Sequence, residues 1–352
     1  TNALGGTSYR INSAVASAKI YQYDVTYRSI SPYVHGEFSP IDKLRVTGGL
    51  RFDDMQYDYQ NTFNGGAAGA TQGAGGSGFY GHAASTKVGY SHWGPKLGAT
   101  YEFSKNLNMF ANYANSFRTP SEGQVFRGSR ESTALRAQTA AESLINLKPV
   151  VVDNYEIGLR GRNGAVNYEV SVYHMIKTDD IVSYTDATSQ RRTVNAGQTQ
   201  HDGIELGLGA EIVKDWRVDM ALGYARHTYT KWSVSGTADY SGKEMEAAPR
   251  VIGNTRITYA PGYLNGGRVQ LEWVKLGRYW LDPANTLYYG GHDLFHLRGN
   301  YPIDKSFEVW AGINNLLDKR YSETTSTSGS PAVAAYTAGL PRTMLVGVQA
   351  KW

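Results

Sequence analysis

The chain has 352 residues, with no Cys, 26 Tyr, 40 Gly and a formal net charge of +4. Without cysteine there is no disulfide framework, thiolate metal site or cysteine nucleophile, and so small a basic excess is too weak to imply a nucleic-acid partner. No run of about 20 apolar residues exists to cross a bilayer as a helix, but the mean hydropathy of −0.43 still allows a membrane barrel, whose lipid face takes only every second residue.

The opening TNALGGTSYR lacks the charge-then-apolar layout of a secretory leader. Residues 1–25 are expected to be an external-loop remnant or a partial strand, with 9–22 able to supply one more strand. From there a repeated grammar begins. Leu44, Val46, Leu50 and Phe52 alternate with Arg45, Thr47, Arg51 and Asp53. Leu97, Ala99, Tyr101 and Phe103 alternate with Lys96, Gly98, Thr100 and Glu102. Ile204, Leu206, Leu208, Ala210 and Ile212 do the same, as do Trp216 to Tyr224, Phe307 to Ile313 (where Trp310 breaks the polar set) and Met344 to Trp352. Period-two alternation places each set on one face of a strand. About thirteen strands fit, near 26–38, 44–58, 86–103, 107–117, 153–162, 166–178, 191–212, 216–230, 250–260, 268–280, 292–302, 306–316 and 341–352.

Two kinds of connection take turns. Short ones at 39–43, 104–106, 162–165, 213–216 and 302–305 carry the Asn, Asp, Gly and Pro of tight turns. Long ones run over 61–84, 118–152, 231–248, 281–291 and 322–340, while the connection near 186–190 reads as short where a long one is due. A soluble sandwich has no reason to segregate its loops, whereas a transmembrane barrel has short turns at one end and long loops at the other. Charge on the polar face of strand after strand requires a wet or filled interior. The expected fold is therefore all-β, a transmembrane antiparallel β-barrel. Aromatics near strand ends, Tyr57, Tyr59, Tyr229, Tyr279, Trp280, Tyr321 and Trp352, read as interfacial girdles.

Chemical motifs are sparse. The eight histidines form no helical HxxxH or HExxH pair. Asp179-Asp180 lacks the further oxygen ligands of a calcium loop. The glycine-rich 65–78 has no Gly-Lys-Ser/Thr and reads as a mobile loop tip. There is no Gly-x-Ser-x-Gly elbow to suggest a hydrolase. No enzyme activity, metal or cofactor is expected.

Several stretches together resemble the C-terminal part of TonB-dependent outer-membrane receptors: SPYVHGEFSPIDKLRVTGGLRFDD (31–54), NLNMFANYANSFRTPSEGQVF (106–126), VDNYEIGLRG (152–161), NAGQTQHDGIELGLGAEI (195–212), NNLLDKRY (314–321) and GLPRTMLVGVQAKW (339–352). The resemblance implies that 26–352 is the later portion of a 22-stranded barrel. It also implies a plug domain, missing here, through which the TonB–ExbB–ExbD complex drives uptake across the outer membrane of a Gram-negative bacterium. The implied ligand is a ferric siderophore or similar metal chelate. Cobalamin, haem or another metal complex is the alternative, as is a passive porin-like channel. Phe117-Arg118-Thr119-Pro120 and Ile145–Pro149 resemble the two boxes of haem receptors, but 121–150 has no His or Tyr, so they are read as shaping the base of a loop. Siderophores are anionic and often aromatic. Arginines and aromatics facing inward near the external end are therefore the candidate binding residues: Tyr57, Tyr59, Trp93, Phe117, Arg118, Phe126, Arg127, Arg191, Tyr229 and Trp232.

Overall fold

A computed structural model describes residues 19–73, 76, 78–185, 191–195, 197–232, 239–328 and 333–350. The expected role of Trp352 and a strand before residue 19 lie outside these. Strands β1 (Tyr23–Ile30) and β2 (Tyr33–Ile41) both run antiparallel to β3 (Leu44–Asn61). They are two halves of one wall strand, interrupted at Ser31-Pro32, where proline has no N–H for the ladder. The Pro32 carbonyl keeps the halves in line by accepting from the Phe52 amide at 3.0 Å.

After β3 the chain leaves the wall through a short hairpin, β4 (Gly69–Gln72) and β5 (Phe79–His82), then returns as β6 (Thr86–Ser104) and β7 (Leu107–Arg118). A second excursion holds α1 (Glu122–Phe126), β8 (Arg130–Glu131) and α2 (Ala134–Leu144). The wall resumes with β9 (Val150–Asn163) and β10 (Val166–Thr178). A hairpin of β11 (Ile181–Thr185) and β12 (Arg191–Asn195) follows, then β13 (Gly197–Val213), β14 (Trp216–Trp232), β15 (Val251–Tyr259) and β16 (Arg268–Leu276). The small pair β17 (Tyr279–Trp280) and β18 (Tyr288–Tyr289) precedes β19 (His292–Pro302) and β20 (Phe307–Asn314). The hairpin β21 (Ser322–Ser328) and β22 (Val333–Ala338) precedes β23 (Thr343–Ala350).

The wall is a 14-stranded antiparallel sheet in the order β1-β3-β6-β7-β9-β10-β13-β14-β15-β16-β19-β20-β23, with β2 on β3. Among the described residues, β2 and β23 are not paired with each other. The strand reading holds for most of the wall, but the expected strand 26–38 is broken into β1 and β2, and the expected 268–280 ends at Leu276, with Tyr279–Trp280 in a separate pair outside the wall. The proposed strand 191–212 is two strands: β12 pairs with β11 outside the wall and β13 starts at Gly197. The connection expected to be short near 186–190 is thus a long external hairpin. The glycine-rich segment expected to be a mobile tip contributes β4, paired with β5 from Gly69↔His82 to Gln72↔Phe79.

The turns at one end are as short as their residues allow. Asp215 and Gly164 adopt φ of +69° and +57° in two-residue connections, the left-handed region that such turns need. At the β19–β20 turn the Asp304 carboxylate accepts from the amides of Ser306 and Phe307 at 2.7 and 2.9 Å.

Alternation fixes the two faces. On β13 and β14, Ile204 pairs with Tyr224, Leu206 with Leu222 and Leu208 with Met220, all on the outward side. Immediately above this band the same face turns polar, with the His174 ring 2.6 Å from the Asp202 carboxylate and Lys275 2.9 Å from Asp293. The apolar stretch is about nine to eleven residues long on each of these strands, the length a tilted strand needs to cross a bilayer. Aromatic pairs mark its rims: Phe52–Trp93 and Tyr113–Tyr155 above, and Trp216–Tyr259 and Tyr101–Phe103 below. The girdle assignment therefore moves. Tyr57, Tyr59 and Tyr229 sit higher because β3 and β14 continue beyond the membrane, and they face inward. A groove over Val46, Leu97, Ala111, Ile157 and Val172 belongs to the outward face, where acyl chains lie.

The inward face is a lattice of charges. Glu272, 5% exposed, accepts from Asn254 at 2.7 Å and Arg256 at 2.9 Å and faces Arg298 at 3.3 Å. Arg217 pairs with Asp219 at 2.6 Å. A polar groove of about 630 Å³ runs past Arg160, Arg162, Asn167, Asp219 and Arg256.

Candidate functional site

The external excursions pack on one another and on the upper, inward side of the wall, forming a mouth. Its largest part is the 119–149 excursion. Ser121 caps α1 by accepting from the Gln124 amide, and the Gln124 side chain accepts from the Ser121 amide at 2.9 Å, a reciprocal capping box. Thr133 caps α2 by accepting from the Arg136 amide at 3.3 Å. These caps aim the buried faces, Val125 and Phe126 of α1 and Ala137, Ala141 and Leu144 of α2, onto the wall and onto β5. Gly81 lies under Ala137 so closely that a Cβ there would overlap the Ala137 carbonyl.

The result is an aromatic core at the mouth. Phe126 stacks on Tyr59 with centroids 4.3 Å apart and planes 4° apart, and Tyr57 meets Phe126 edge-on at 6.0 Å. Tyr57 donates to the Pro120 carbonyl at 3.1 Å. Phe117 packs on the same cluster and stacks on His92 at 4.6 Å. At its edge Arg127 donates to the Tyr23 hydroxyl at 2.6 Å, and that hydroxyl also meets Glu122. Five of the proposed binding residues, Tyr57, Tyr59, Phe117, Phe126 and Arg127, are therefore brought together, with Tyr59 and Phe126 wholly buried beneath the loop.

The others are placed separately. Tyr229 and Trp232 form a second aromatic cluster with Val182, Tyr240 and Met245, and Tyr229 donates to Glu246 at 2.5 Å. Arg118 is exposed at the end of β7. Arg191 pairs through its backbone with Thr185, the last pair before the tip of the β11–β12 hairpin. Trp93 differs from the expectation: it lies on the outward face against Phe52, 60% exposed, because inward positions on β6 are even-numbered at this level.

Several residues that lock the mouth were not legible from their local sequence. The Glu131 side chain is fully buried and ion-paired with Arg192 from the next excursion, whose second nitrogen is 3.3 Å away. Arg136 approaches the same carboxylate at 3.8 Å. Asn195 accepts from the Lys148 amide at 2.9 Å and donates to the Lys148 carbonyl at 3.0 Å. The two haem-box-like segments thus seat the loop, through Pro120 at one end and Lys148 at the other. Asp180 takes Lys177 at 2.8 Å and the Ile181 amide at 3.1 Å, closing the entrance of the β11–β12 hairpin. The Ser121-x-x-Gln124 spacing was the one available signal for a helix inside the long loop.

His82 gives this loop unit a pH dependence. It is 1% exposed, packed against the tilted Phe63 ring at 4.7 Å, with Nε2 2.7 Å from the Thr71 hydroxyl. Burial holds its pKa below the ordinary 6.5. The opened loop takes up a proton near pH 6.5, the closed one only at lower pH. Loop stability is therefore complete above that range and falls as pH drops through it. Amide exchange of residues 69–82, corrected for its intrinsic rate, should quicken between pH 7 and 5, and His82→Gln should flatten that dependence.

The family model for TonB dependent receptor-like β-barrels matches residues 1–316. Among curated proteins, the ferric-pyoverdine M114 receptor PbuA of Pseudomonas sp. (strain M114) is 24% identical over 251 residues, 67% of this chain and 27% of that protein. The probable TonB-dependent siderophore receptor PiuA of Acinetobacter baumannii is 24% identical over 308 residues, 85% of this chain and 38% of that protein. Among solved structures, the siderophore receptor PiuA from A. baumannii superposes with a TM-score of 0.71 at 21% identity, covering 94% of this chain and 44% of that one. The copper transporter OprC gives 0.72 at 16% identity, covering 93% and 48%. The chain thus spans less than half the length of each of these proteins.

Proposed function

Because the chain belongs to the family of TonB-dependent receptor β-barrels, we propose that it builds the wall and external mouth of a receptor that takes a ferric siderophore, or a similar anionic metal chelate, across the outer membrane. Several curated relatives are named as receptors for ferric pyoverdine, siderophores and rhizobactin. The observation that carries the reading is the segregation of the structure. Among the described residues both α-helices and all the loop hairpins sit at one end of the wall, where aromatic rings and the exposed guanidiniums of Arg118 and Arg127 lie above a charged, hydrophilic inner face. Rings supply stacking and guanidiniums supply charge-assisted hydrogen bonds, the two interactions an anionic, often aromatic chelate offers. Passage past the charged lattice would then be driven by TonB with ExbB and ExbD, acting through a plug domain.

Binding by the purified protein in detergent tests this. Ferric pyoverdine and ferric rhizobactin are suitable probes, read by quenching of the mouth aromatics. Micromolar or tighter binding of at least one ferric chelate is expected. The double variant Arg118→Ala/Arg127→Ala should weaken it about tenfold or more, the worth of one or two charge-assisted hydrogen bonds. Absence of binding by any chelate across such a panel would end the uptake reading.

A further inference from the structure

The inward face holds one pair of side chains that the uptake reading does not use. His201 of β13 and His227 of β14 are register partners, and their Nδ1 atoms are 2.7 Å apart. Both lie on the face of Glu205 and Asp219, one step below the Tyr229–Trp232 cluster. The rings meet at 60° with centroids 5.0 Å apart, so their in-plane lone pairs converge rather than stack. The far nitrogen of His201, Nε2, is 3.0 Å from the Thr199 hydroxyl, and Thr199 is itself buried.

We propose that His201 and His227 form a chelating site for a divalent transition-metal ion, Cu²⁺ or Zn²⁺, on the inner wall beneath the mouth. Imidazole nitrogen is a preferred ligand of both ions. Two rings fixed on neighbouring strands have already lost the freedom that a metal would otherwise have to remove. Metal-bound histidines generally engage their other ring nitrogen with a hydrogen-bonding partner, which sets tautomer and orientation. Thr199 can do this for His201: with its hydroxyl accepting from Nε2–H, the Nδ1 lone pair is left aimed at His227.

The change on binding balances. In the metal-free pair His227 donates its Nδ1 proton to His201 Nδ1. On binding, that proton moves to His227 Nε2 through solvent, and both Nδ1 lone pairs go to the metal, so two neutral imidazoles accept one dication and no proton is lost. Metal–nitrogen bonds of about 2.0–2.1 Å ask the two nitrogens to separate to roughly 3.4 Å, a displacement of a few tenths of an ångström for each ring. The carboxylates of Asp180 and Glu244 lie in the electrostatic surroundings of the pair, but each is held by its own cation, Lys177 and Arg250. Among the described residues no third His, Asp or Glu completes a ligand set. Water fills the remaining positions, which keeps the site open and exchangeable.

Titration of metal-stripped protein with Cu²⁺, followed by calorimetry and electron paramagnetic resonance, decides the matter. One ion per chain with two coordinated nitrogens is expected. His201→Ala and His227→Ala should each weaken binding at least tenfold and remove the two-nitrogen signature, and Thr199→Val should weaken it about tenfold. His174→Ala, on the outward face, should bind like the parent. If His201→Ala does not fold, His227→Gln is read instead. Parent-like binding by folded His201 and His227 variants overturns the site, as does the absence of stoichiometric binding by the parent. The probe is the bare metal ion, so neither result depends on whether a siderophore binds.

Discussion

Arg192→Ala should open the external loop unit at a cost of about 3–5 kcal/mol, the range for leaving a buried charge without its partner. The asymmetry of the pair is the reason. Arg192 keeps access to water, whereas the Glu131 side chain is wholly enclosed. With Arg192 gone, Arg136, at 3.8 Å and half exposed, is the one cation left beside the carboxylate among the described residues. The molecule's cheapest response is to lift β8 and α2 away so that water reaches Glu131. Amide exchange of Phe79–His82 and Ala134–Leu144 should therefore accelerate strongly, while Ile204–Ile212 in the wall stays protected. Arg192→Lys should fall between, because an ammonium cannot repeat the two-nitrogen geometry. Glu131→Gln should cost less, about 1–3 kcal/mol, since no buried charge is left behind. Unchanged exchange in Arg192→Ala would mean that the two excursions are not held by this ion pair.

The second large effect concerns the bilayer. Leu206→Arg should destabilise the folded protein by about 2–4 kcal/mol, the cost of a lipid-facing arginine at mid-membrane depth. Leu206 pairs with Leu222 in the middle of the apolar stretch of β13 and β14. Ala221→Arg lies one residue along on β14 but points into the polar groove beside Gly207, and should change stability by under about 0.5 kcal/mol. Urea unfolding in lipid vesicles, with gel mobility of unheated samples as the measure of folded fraction, compares the two. If Ala221→Arg proves the more damaging, the inward and outward faces have been exchanged.

How much of this was readable beforehand follows from distance along the chain. The wall strands announce themselves because their pattern is local. Leu44 to Phe52 and Ile204 to Ile212 each show their face within a single stretch, and tight turns such as Lys214-Asp215 sit between them. The helices of the mouth were hidden because α1 is one turn long and α2 carries few large apolar residues; only Ser121-x-x-Gln124 signalled a helix there. Trp93 was placed on the wrong face because its even-numbered neighbours, not the odd ones, line the interior. Tyr59 and Tyr229 were expected at a membrane rim because strand length beyond the bilayer cannot be read from alternation alone. The meeting of Glu131 with Arg192, and of His201 with His227, depends on register between separate strands and loops, which no local pattern contains.

The strand order has a consequence for how the molecule is built. Among the described residues, apart from β2, which continues β1, each wall strand hydrogen-bonds only to the wall strands before and after it in the chain. The wall can therefore grow by successive hairpins with little loop-closure entropy at each step. The links that skip hairpins belong to the mouth: Glu131 to Arg192 across 61 residues, Tyr279 to Thr325 across 46 and Asn285 to Glu244 across 41. These unions between distant segments should form last, on a finished scaffold. Loosening them would yield an inserted protein with an unlatched entrance, not a protein that fails to insert.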